Sequence, residues 1–470
     1  MSTKGNRDFR PSMHFTPSSG WINDPNGLTY ENGTWHLFAQ HNPKEPVWGP
    51  MHWLHATSTD LLHWQEHGIA MYPDEKLGMI YSGSAVIDKG NTSGLGDGCD
   101  PMVLMYTSHG AYEQQSIAFS NDRFHFTPYE GNPVISNNDK RNFRDPKVFR
   151  NEIKNCWSMV LAAGDHAEFY ASRDLIHWTK TGEFGAEENR LGGVFECTDV
   201  FPLTAPDGSE VWVLIVSMAL HSQFGGGRML YFLGSFDGDT FCETIPADHP
   251  RILDSGYDDY AAVTYNGTDR RLMIGWASSP SYANLAPTGE FCCLMTYVRE
   301  LSLVDTDAGL QLAFSPITPE FDLAEMSRKP MPENLRFPWH YIPEAEGKLP
   351  GELFKIHVEA EEPFTLTLSN DEGEQLNVSI SNEQKLVVDR IRAGASDFSP
   401  VFASGLCAVM SANRTMRGPV KLDLYFDRMI AEIFTDNGSV INSSMVFPKS
   451  PYTKAVLTGN GTMWIGTPKA

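Results

Sequence analysis

The sequence predicts an all-β protein: a five-bladed β-propeller followed by a C-terminal β-sandwich. Three observations carry that reading. Helical periodicity is scarce, and short apolar and aromatic runs alternate with Gly, Asn, Asp and Pro, as in a chain of strands and tight turns. A turn-like segment also recurs: Ser58-Thr59-Asp60-Leu61-Leu62-His63-Trp64 is echoed by Ser172-Arg173-Asp174-Leu175-Ile176-His177-Trp178, and more weakly by the segments starting at Ser120 and Ser235. The shared pattern is Ser-x-Asp-x-x-x-aromatic, each copy following a strand-like run. A second series interleaves with the first, with strand-like segments starting near Asp24, Tyr81, Arg144, Glu196 and Asp258. The starts lie roughly 50–65 residues apart, a period that suits blades of about four strands. Five segments give five blades, and two unrelated sandwiches would not put the two series in phase.

The first inner strand carries Trp21-Ile22-Asn23-Asp24-Pro25-Asn26-Gly27-Leu28. Pro25 fixes its own φ and pushes Asp24 towards extended geometry. Asn23 and Asn26 offer neutral donors that can keep the carboxylate charged, and Trp21 offers a flat apolar face of the kind sugar rings stack on. In isolation the octet reads as a turn before a strand. The first strand of each propeller blade lines the central channel, so Asp24, Ser84, Arg144, Asp145, Glu196 and Asp259 are expected to converge at one channel mouth. The apolar run Val211 to Leu220 reads as a buried strand.

After Leu312 the texture changes. Pro316, Pro319, Pro330, Pro332, Pro338 and Pro343 mark a linker, with one short helical turn expected around Phe321 to Met326. Alternating strands follow, such as Phe364 to Leu368 and Lys421 to Phe426. Asp436-Asn437-Gly438-Ser439 reads as a hairpin turn. The expected division is residues 1–314 for the catalytic propeller, 315–334 for the linker and 335–470 for a structural or accessory sandwich.

Composition narrows the function. Thirty-six basic against 59 acidic residues give a net charge of −23. That argues against nucleic acid or an anionic membrane as partner and suits a neutral ligand. Residues 1–20 contain no apolar signal core, and the longest apolar run is too short to span a bilayer. The seven cysteines are scattered, with only Cys292 and Cys293 adjacent, which suggests reduced thiols and a cytoplasmic address. No segment has zinc-like or other metal-ligand spacing, so neither a metal nor a cofactor is expected. Oligomeric state is not legible.

Three carboxylates stand out: Asp24, Asp145 and Glu196. Each alone reads as an ordinary surface acid, but together, in phase with five blades, they suit glycosidic cleavage. That reaction needs one carboxyl group to protonate the leaving oxygen and another to attack or to activate water. Arg144 is expected to keep Asp145 ionised, and the neighbours Val194, Phe195 and Cys197 to keep Glu196 protonated. His41, His52, His55 and His63 are assigned to packing.

At these residues the chain closely resembles glycoside hydrolase family 32, the β-fructofuranosidases. The family's Trp-(Met/Ile)-Asn-Asp-Pro-Asn-Gly box matches Trp21 to Gly27, its Arg-Asp-Pro box Arg144 to Pro146, and its Glu-Cys box Glu196-Cys197. Ser82-Gly83-Ser84, the Trp48-Gly49 pair and the C-terminal strands extend the likeness over essentially the whole chain. The resemblance implies retaining hydrolysis of terminal β-linked fructosyl units, in sucrose or short fructo-oligosaccharides, through a covalent fructosyl-enzyme. It implies Asp24 as nucleophile, Glu196 as acid/base, and Asp145 as the group that binds fructose hydroxyls and stabilises the transition state. Asn23, Gln40, Trp48, Ser84, Arg144 and Trp276 would line the fructose subsite. The implied partner is a small-molecule carbohydrate. One departure stands out: the family commonly has Glu-Cys-Pro-Asp, and here Thr198 replaces the proline, adding a backbone donor and a hydroxyl. Fructosyl transfer to a sugar, hydrolysis of sucrose-6-phosphate and non-catalytic fructan binding are the alternatives. The second needs a basic patch on the leaving-group side, and the retention of all three carboxylates argues against the third.

Overall fold

A serine and an aspartate two residues apart build the turn that repeats around the molecule. Ser58 ends a strand, and its Oγ accepts the N–H groups of Asp60 and Leu61 at 3.2 and 2.8 Å. Asp60 Oδ1 accepts those of Leu62 and His63 at 2.9 and 2.8 Å, and His63 Nδ1 lies 2.7 Å from Asp60 Oδ2. The same bonds recur around Asp122 and Asp174. Leu61, Arg123 and Leu175 take left-handed φ values of 68°, 74° and 62°. Short polar side chains thus satisfy donors that so tight a turn cannot satisfy itself. Each such turn joins the third strand of a sheet to the fourth.

The computed structural model describes residues 7–185, 193–219, 227–247, 249–331 and 341–469. Among them, five antiparallel sheets of four principal strands follow in chain order. Their inner strands are Gly20–Glu31, Met79–Ile87, Phe143–Asn151, Phe195–Thr204 and Tyr260–Thr264, which define blades I to V. Inner strands of successive blades pack side by side, and that of blade V returns to that of blade I. The ring closes through the Tyr30 N–H to Asn266 O bond (2.9 Å) and the Asn266 N–H to Leu28 O bond (3.0 Å). Asn266 also sends its side-chain amide to Ala85 O and Val148 O, at 2.8 and 2.9 Å, joining blade V to blades II and III. Lys147 is buried on Thr264 and Asp199. These groups fill the channel below the inner strands' first residues, leaving a blind pocket above.

Every inner strand carries an irregularity near its start. The register with the second strand shifts between Ile22 and Pro25, Ile80 and Gly83, Arg144 and Lys147, Glu196 and Asp199, and Tyr260 and Val263. Three of these bulges hold a non-glycine residue in the left-handed region: Asp145 (φ 64°), Cys197 (φ 45°) and Ala261 (φ 55°). At Gly83 a Cβ would fall 2.0 Å from the Met105 carbonyl oxygen, so the blade II bulge requires glycine. A bulge re-aims the side chains around it.

The C-terminal unit is a β-sandwich-like assembly organised by two long strands, Leu353–Ser369 and Lys454–Pro468. The first half of the former pairs with Val420–Asp427 and the second half with Gln375–Ile380, across a register shift between Ala360 and Phe364. The hairpin turn at 436–439 is present between Ile430–Thr435 and Val440–Met445. The expected helical turn is not: Phe321–Glu325 is a strand that pairs with the end of Lys454–Pro468. So short a segment cannot hold an isolated helix, and the open strand edge offers it a full ladder. The expected linker's first two residues finish the last propeller strand, Gly309–Pro316. Leu220, residues 332–334 of that linker and residue 335, where the sandwich was expected to begin, lie outside the described residues. No helix among those described is long and apolar enough to cross a membrane.

The two units share a buried ionic seam. Arg299 of blade V, 1% exposed, bonds Asp259 Oδ2 and Glu432 Oε2, each at 2.7 Å, and Ser443 Oγ at 2.7 Å. His14 bridges Asp427 and Glu432 at 2.9 and 3.0 Å. Burial opposes its charge, but the two carboxylates outweigh burial and push its pKa up to about 9. Arg390 of the sandwich pairs with Asp258 at 2.5 Å. Removing one member of such a seam leaves buried charge unanswered. Arg299→Leu is therefore expected to destabilise the protein by about 3–5 kcal/mol, measured by urea denaturation. A loss near zero would show the seam to be energetically idle.

Candidate active site

The pocket above the channel plug encloses about 360 Å³, the scale of a small ligand site. Each inner strand delivers side chains at its bulge: Asn23 and Asp24 from blade I, Tyr81 and Ser82 from blade II, Arg144 and Asp145 from blade III, Glu196 from blade IV and Tyr260 from blade V. Gln40, Trp48 and Trp276 complete the wall with Trp21, His109 and Glu113, and Met51, Pro280 and Asn284 also line it.

The three carboxylates are held differently. Asp24 Oδ1 accepts the Asn23 amide at 3.0 Å, and Oδ2 accepts the Ser82 hydroxyl at 2.5 Å. The Cys197 thiol lies 3.6 Å from Asp24 Oδ2 and 3.6 Å from Asp145 Oδ2, so one sulfur joins both groups. Asp145 Oδ2 also accepts the Cys197 N–H at 3.0 Å. Glu196 accepts Arg144 Nη2 at 2.8 Å on one oxygen and the Tyr260 hydroxyl at 2.6 Å on the other. Burial and Glu196 push the Tyr260 phenol far above its ordinary value, so it stays protonated and donates.

Burial dominates the charges of the aspartates. It raises Asp24, assisted by the nearby Glu196 and opposed by hydrogen bonds from Ser82, Asn23 and Cys197. It pushes Asp145 up to about 7 despite Arg144. The expectation that Arg144 keeps Asp145 ionised is thereby corrected. The guanidinium gives its Nη atoms to Glu196 and to Glu113 (3.0 Å), and its Nε stays 3.9 Å from Asp145. The expected apolar setting of Glu196 is corrected likewise: a cation and a phenol face its carboxylate.

Of the expected site residues, Asp24, Asp145, Glu196, Asn23, Gln40, Trp48, Arg144 and Trp276 all line the pocket. Ser84 does not. Its Oγ donates to Pro146 O at 2.8 Å and accepts the Val148 N–H at 2.9 Å, tying blade II to blade III. The bulge before Gly83 leaves Ser82 at the mouth and Ser84 deeper in the channel. Asp259 is likewise turned away, onto Arg299. Asn26 accepts the Gly83 N–H at 3.1 Å and does not serve Asp24. Gln40 Nε2 and Trp276 Nε1 are buried pocket donors without a protein partner. Trp48, 46% exposed, forms the rim, its N–H bonded to Asn284 at 2.7 Å. The hydroxyl that Thr198 adds is buried with no partner. His41 and His55 are buried and pack as expected, whereas His63 is an exposed cap on its turn.

Ser82 and Tyr260 were overlooked although both stand inside segments the repeat singles out. Glu113 and His109 belong to a blade II hairpin with no motif. The described residues hold one cluster spaced like metal ligands, His166, Glu168 and Glu183, on blade III. Glu168 there already receives Lys140 and Lys180, each at 2.8 Å, which makes it an ion-pair hub.

Residues 14–316 match the glycosyl hydrolases family 32 N-terminal domain, and residues 344–465 match the glycosyl hydrolases family 32 C-terminal domain. The chain belongs to glycoside hydrolase family 32. Among its family 32 relatives, a levanase of Bacillus subtilis (strain 168) is 38% identical over 458 residues, covering 94% of this chain and 67% of the levanase. An invertase of Schizosaccharomyces pombe is 33% identical over 480 residues, covering 92% of this chain and 79% of the invertase. Two solved structures align along nearly the whole length. The exo-inulinase of Aspergillus awamori superposes with a TM-score of 0.85 at 28% identity, covering 99% of both chains. The β-fructofuranosidase of Schwanniomyces occidentalis, complexed with fructosyl-erythritol, superposes with a TM-score of 0.86 at 27% identity, covering 97% of both.

The Ser82 hydroxyl opposes the upward push on Asp24. A hydrogen bond to a charged group is worth about 1.5–3 kcal/mol, and one pH unit corresponds to about 1.4 kcal/mol. Ser82→Ala should therefore move the acidic limb of kcat/KM to higher pH by about one to two units. An unmoved limb would separate Ser82 from the ionisation of Asp24.

Proposed function

We propose that this family 32 chain is a retaining β-fructofuranosidase that removes terminal β-linked fructosyl units from sucrose or short fructo-oligosaccharides. The observation that carries the reading is the meeting of Asp24, Asp145 and Glu196, from three blades, in one sugar-sized pocket around Arg144. Levanase, invertase and exo-inulinase relatives support the fructosyl specificity.

In this reading an Asp24 oxygen attacks the anomeric carbon while Glu196 gives its proton to the departing glycosidic oxygen. The carbon–oxygen bond breaks and a fructosyl ester forms. Water then attacks the same carbon, Glu196 takes its proton, and Asp24 leaves with overall retention. Asp24 is desolvated, and Asn23 and Ser82 hold it fixed, which reduces the entropy lost at attack. Asp145 binds ring hydroxyls and tightens on them as positive charge develops. The unpartnered donors of Gln40 and Trp276 are suited to sugar hydroxyls.

The leaving group is a neutral sugar. Among the described residues lining the pocket, Arg144 is the one Lys or Arg, and Glu196 and Glu113 already hold it. A phosphate would meet four carboxylates: Asp24, Glu113, Asp145 and Glu196. Incubation with sucrose, sucrose-6-phosphate, inulin and levan, with product identification, tests this. Fructose should be released from the uncharged substrates, and sucrose-6-phosphate should be the poorer substrate than sucrose. Preference for the phosphorylated sugar would reverse the assignment, and oligosaccharides as main products at high sucrose would point to transfer.

The roles separate by mutation. Asp24→Asn should abolish turnover and leave the unfolding transition unchanged. Glu196→Gln should lose about 10²–10⁴-fold on sucrose and far less on a fructoside whose leaving group needs no proton. Equal losses on both substrates would assign Glu196 another task.

A further inference from the structure

Arg144 is gripped from two sides. On one side stands Glu196. On the other stands Glu113, from the third strand of blade II (Glu113–Ser120), which no motif marks. Arg144 Nη1 reaches Glu113 Oε1 at 3.0 Å and Oε2 at 3.3 Å, and Nη2 reaches Glu196 Oε1 at 2.8 Å. Glu113 Oε2 also accepts the Phe143 N–H at 2.6 Å, the residue just before Arg144. A single carboxylate therefore binds both the backbone that carries Arg144 and the guanidinium at its tip. Glu113 is buried, 8% exposed. His109 Nδ1 lies 3.4 Å from its Oε1, on the strand paired beside it, and Tyr81 stacks on the His109 ring at 4.2 Å. Beyond Arg144 the charged neighbours are Asp145 and Glu196, with Asp24 behind them.

We propose that Glu113 is a positioning residue for the reaction: it anchors Arg144 and shares its charge with Glu196, which sets how strongly the guanidinium acts on the acid/base group and on the sugar. The inference rests on the roles given above to Arg144 and Glu196. A guanidinium held only by Glu196 and by the neutral Asn142, whose Oδ1 accepts Nη1 at 2.9 Å, would be freer to swing towards Asp145, and its whole charge would favour the ionised forms of the two pocket carboxylates. With Glu113 present, that charge is partly answered from the pocket wall beside blade II. An arginine displaced by about an ångström costs on the order of 100-fold in rate, so its anchor matters to the reaction.

Two variants of the full-length protein test the proposal through pH–rate profiles on sucrose. Glu113→Gln can still accept the Phe143 N–H but removes the charge. Its kcat/KM should fall about 10- to 100-fold, and the alkaline limb should move to lower pH by about one unit. Glu113→Asp keeps the charge on a shorter arm, so the limb should stay in place while kcat/KM falls several-fold. A uniform loss in Glu113→Gln with the limb unmoved would mark Glu113 as a structural brace and overturn the proposal. If Glu113→Gln does not fold, wild-type rates in Glu113→Asp overturn it equally. Failure of the wild type to release fructose from sucrose, inulin or levan would sink the underlying reading of the site instead.

Discussion

Closing five sheets into a ring forces five inner strands together around one axis, and the whole site depends on how that crowding is relieved. Regular pleats would send alternate side chains into a channel already occupied by Asn266 and Lys147. The chain breaks register near the start of every inner strand, and again between Asn26 and Thr29 in blade I, and the breaks near the start turn residues up into the pocket. Asp145 and Cys197 accept a backbone conformation that non-glycine residues seldom take, a strain of the kind found at functional sites. In return the carboxylates stand close together away from water. The raised pKa values of Asp24 and Asp145 are the electrostatic consequence of that placement.

Much of this was legible in the sequence because a propeller is periodic. The Ser-x-Asp turns and the acid-bearing inner strands recur at one spacing, so both the blade count and the meeting of Asp24, Asp145 and Glu196 followed from it. The bulges were not legible, because they break the two-residue alternation by which side-chain direction is read. Ser84 was therefore chosen where Ser82 faces the pocket, and Asp259 was placed at the mouth although it faces Arg299. Sequence adjacency also misled. Asp145 is Arg144's neighbour in the chain, but the guanidinium reaches past it to Glu113 and Glu196. The strand at Phe321–Glu325 was missed for another reason: its partner lies about 140 residues away at the chain's end, and local propensity carries no information about such a partner.

The sandwich does more than add a second core. Its Glu432 meets blade V through Arg299, and Arg299 in turn holds Asp259, the residue before Tyr260. Tyr260 donates to Glu196. A continuous set of buried polar contacts and one peptide link therefore runs from the sandwich to the pocket. Apolar packing accompanies it, since Tyr425, Phe434 and Ile441 of the sandwich belong to the same core as Trp21 and Trp276. The two units are packed together at this seam, and the pocket wall formed by blade V is supported in part by the C-terminal sandwich.

Ring closure also has a kinetic side. Blade I is synthesised first, and Asp24 with it, yet Asp24's hydrogen-bond partners Ser82 and Cys197 lie 58 and 173 residues further along. The contacts that seal the ring await Asn266, and the seam awaits Glu432. Contacts so distant in sequence are slow to form, because the loop entropy is lost before any contact repays it. The nascent chain must therefore carry an unsealed first blade, with its inner strand edge open, until Asn266 and the Phe291–Cys292 strand have been made. The pocket cannot assemble before blade V is made, and the first blade is the part most exposed to misassembly while it waits.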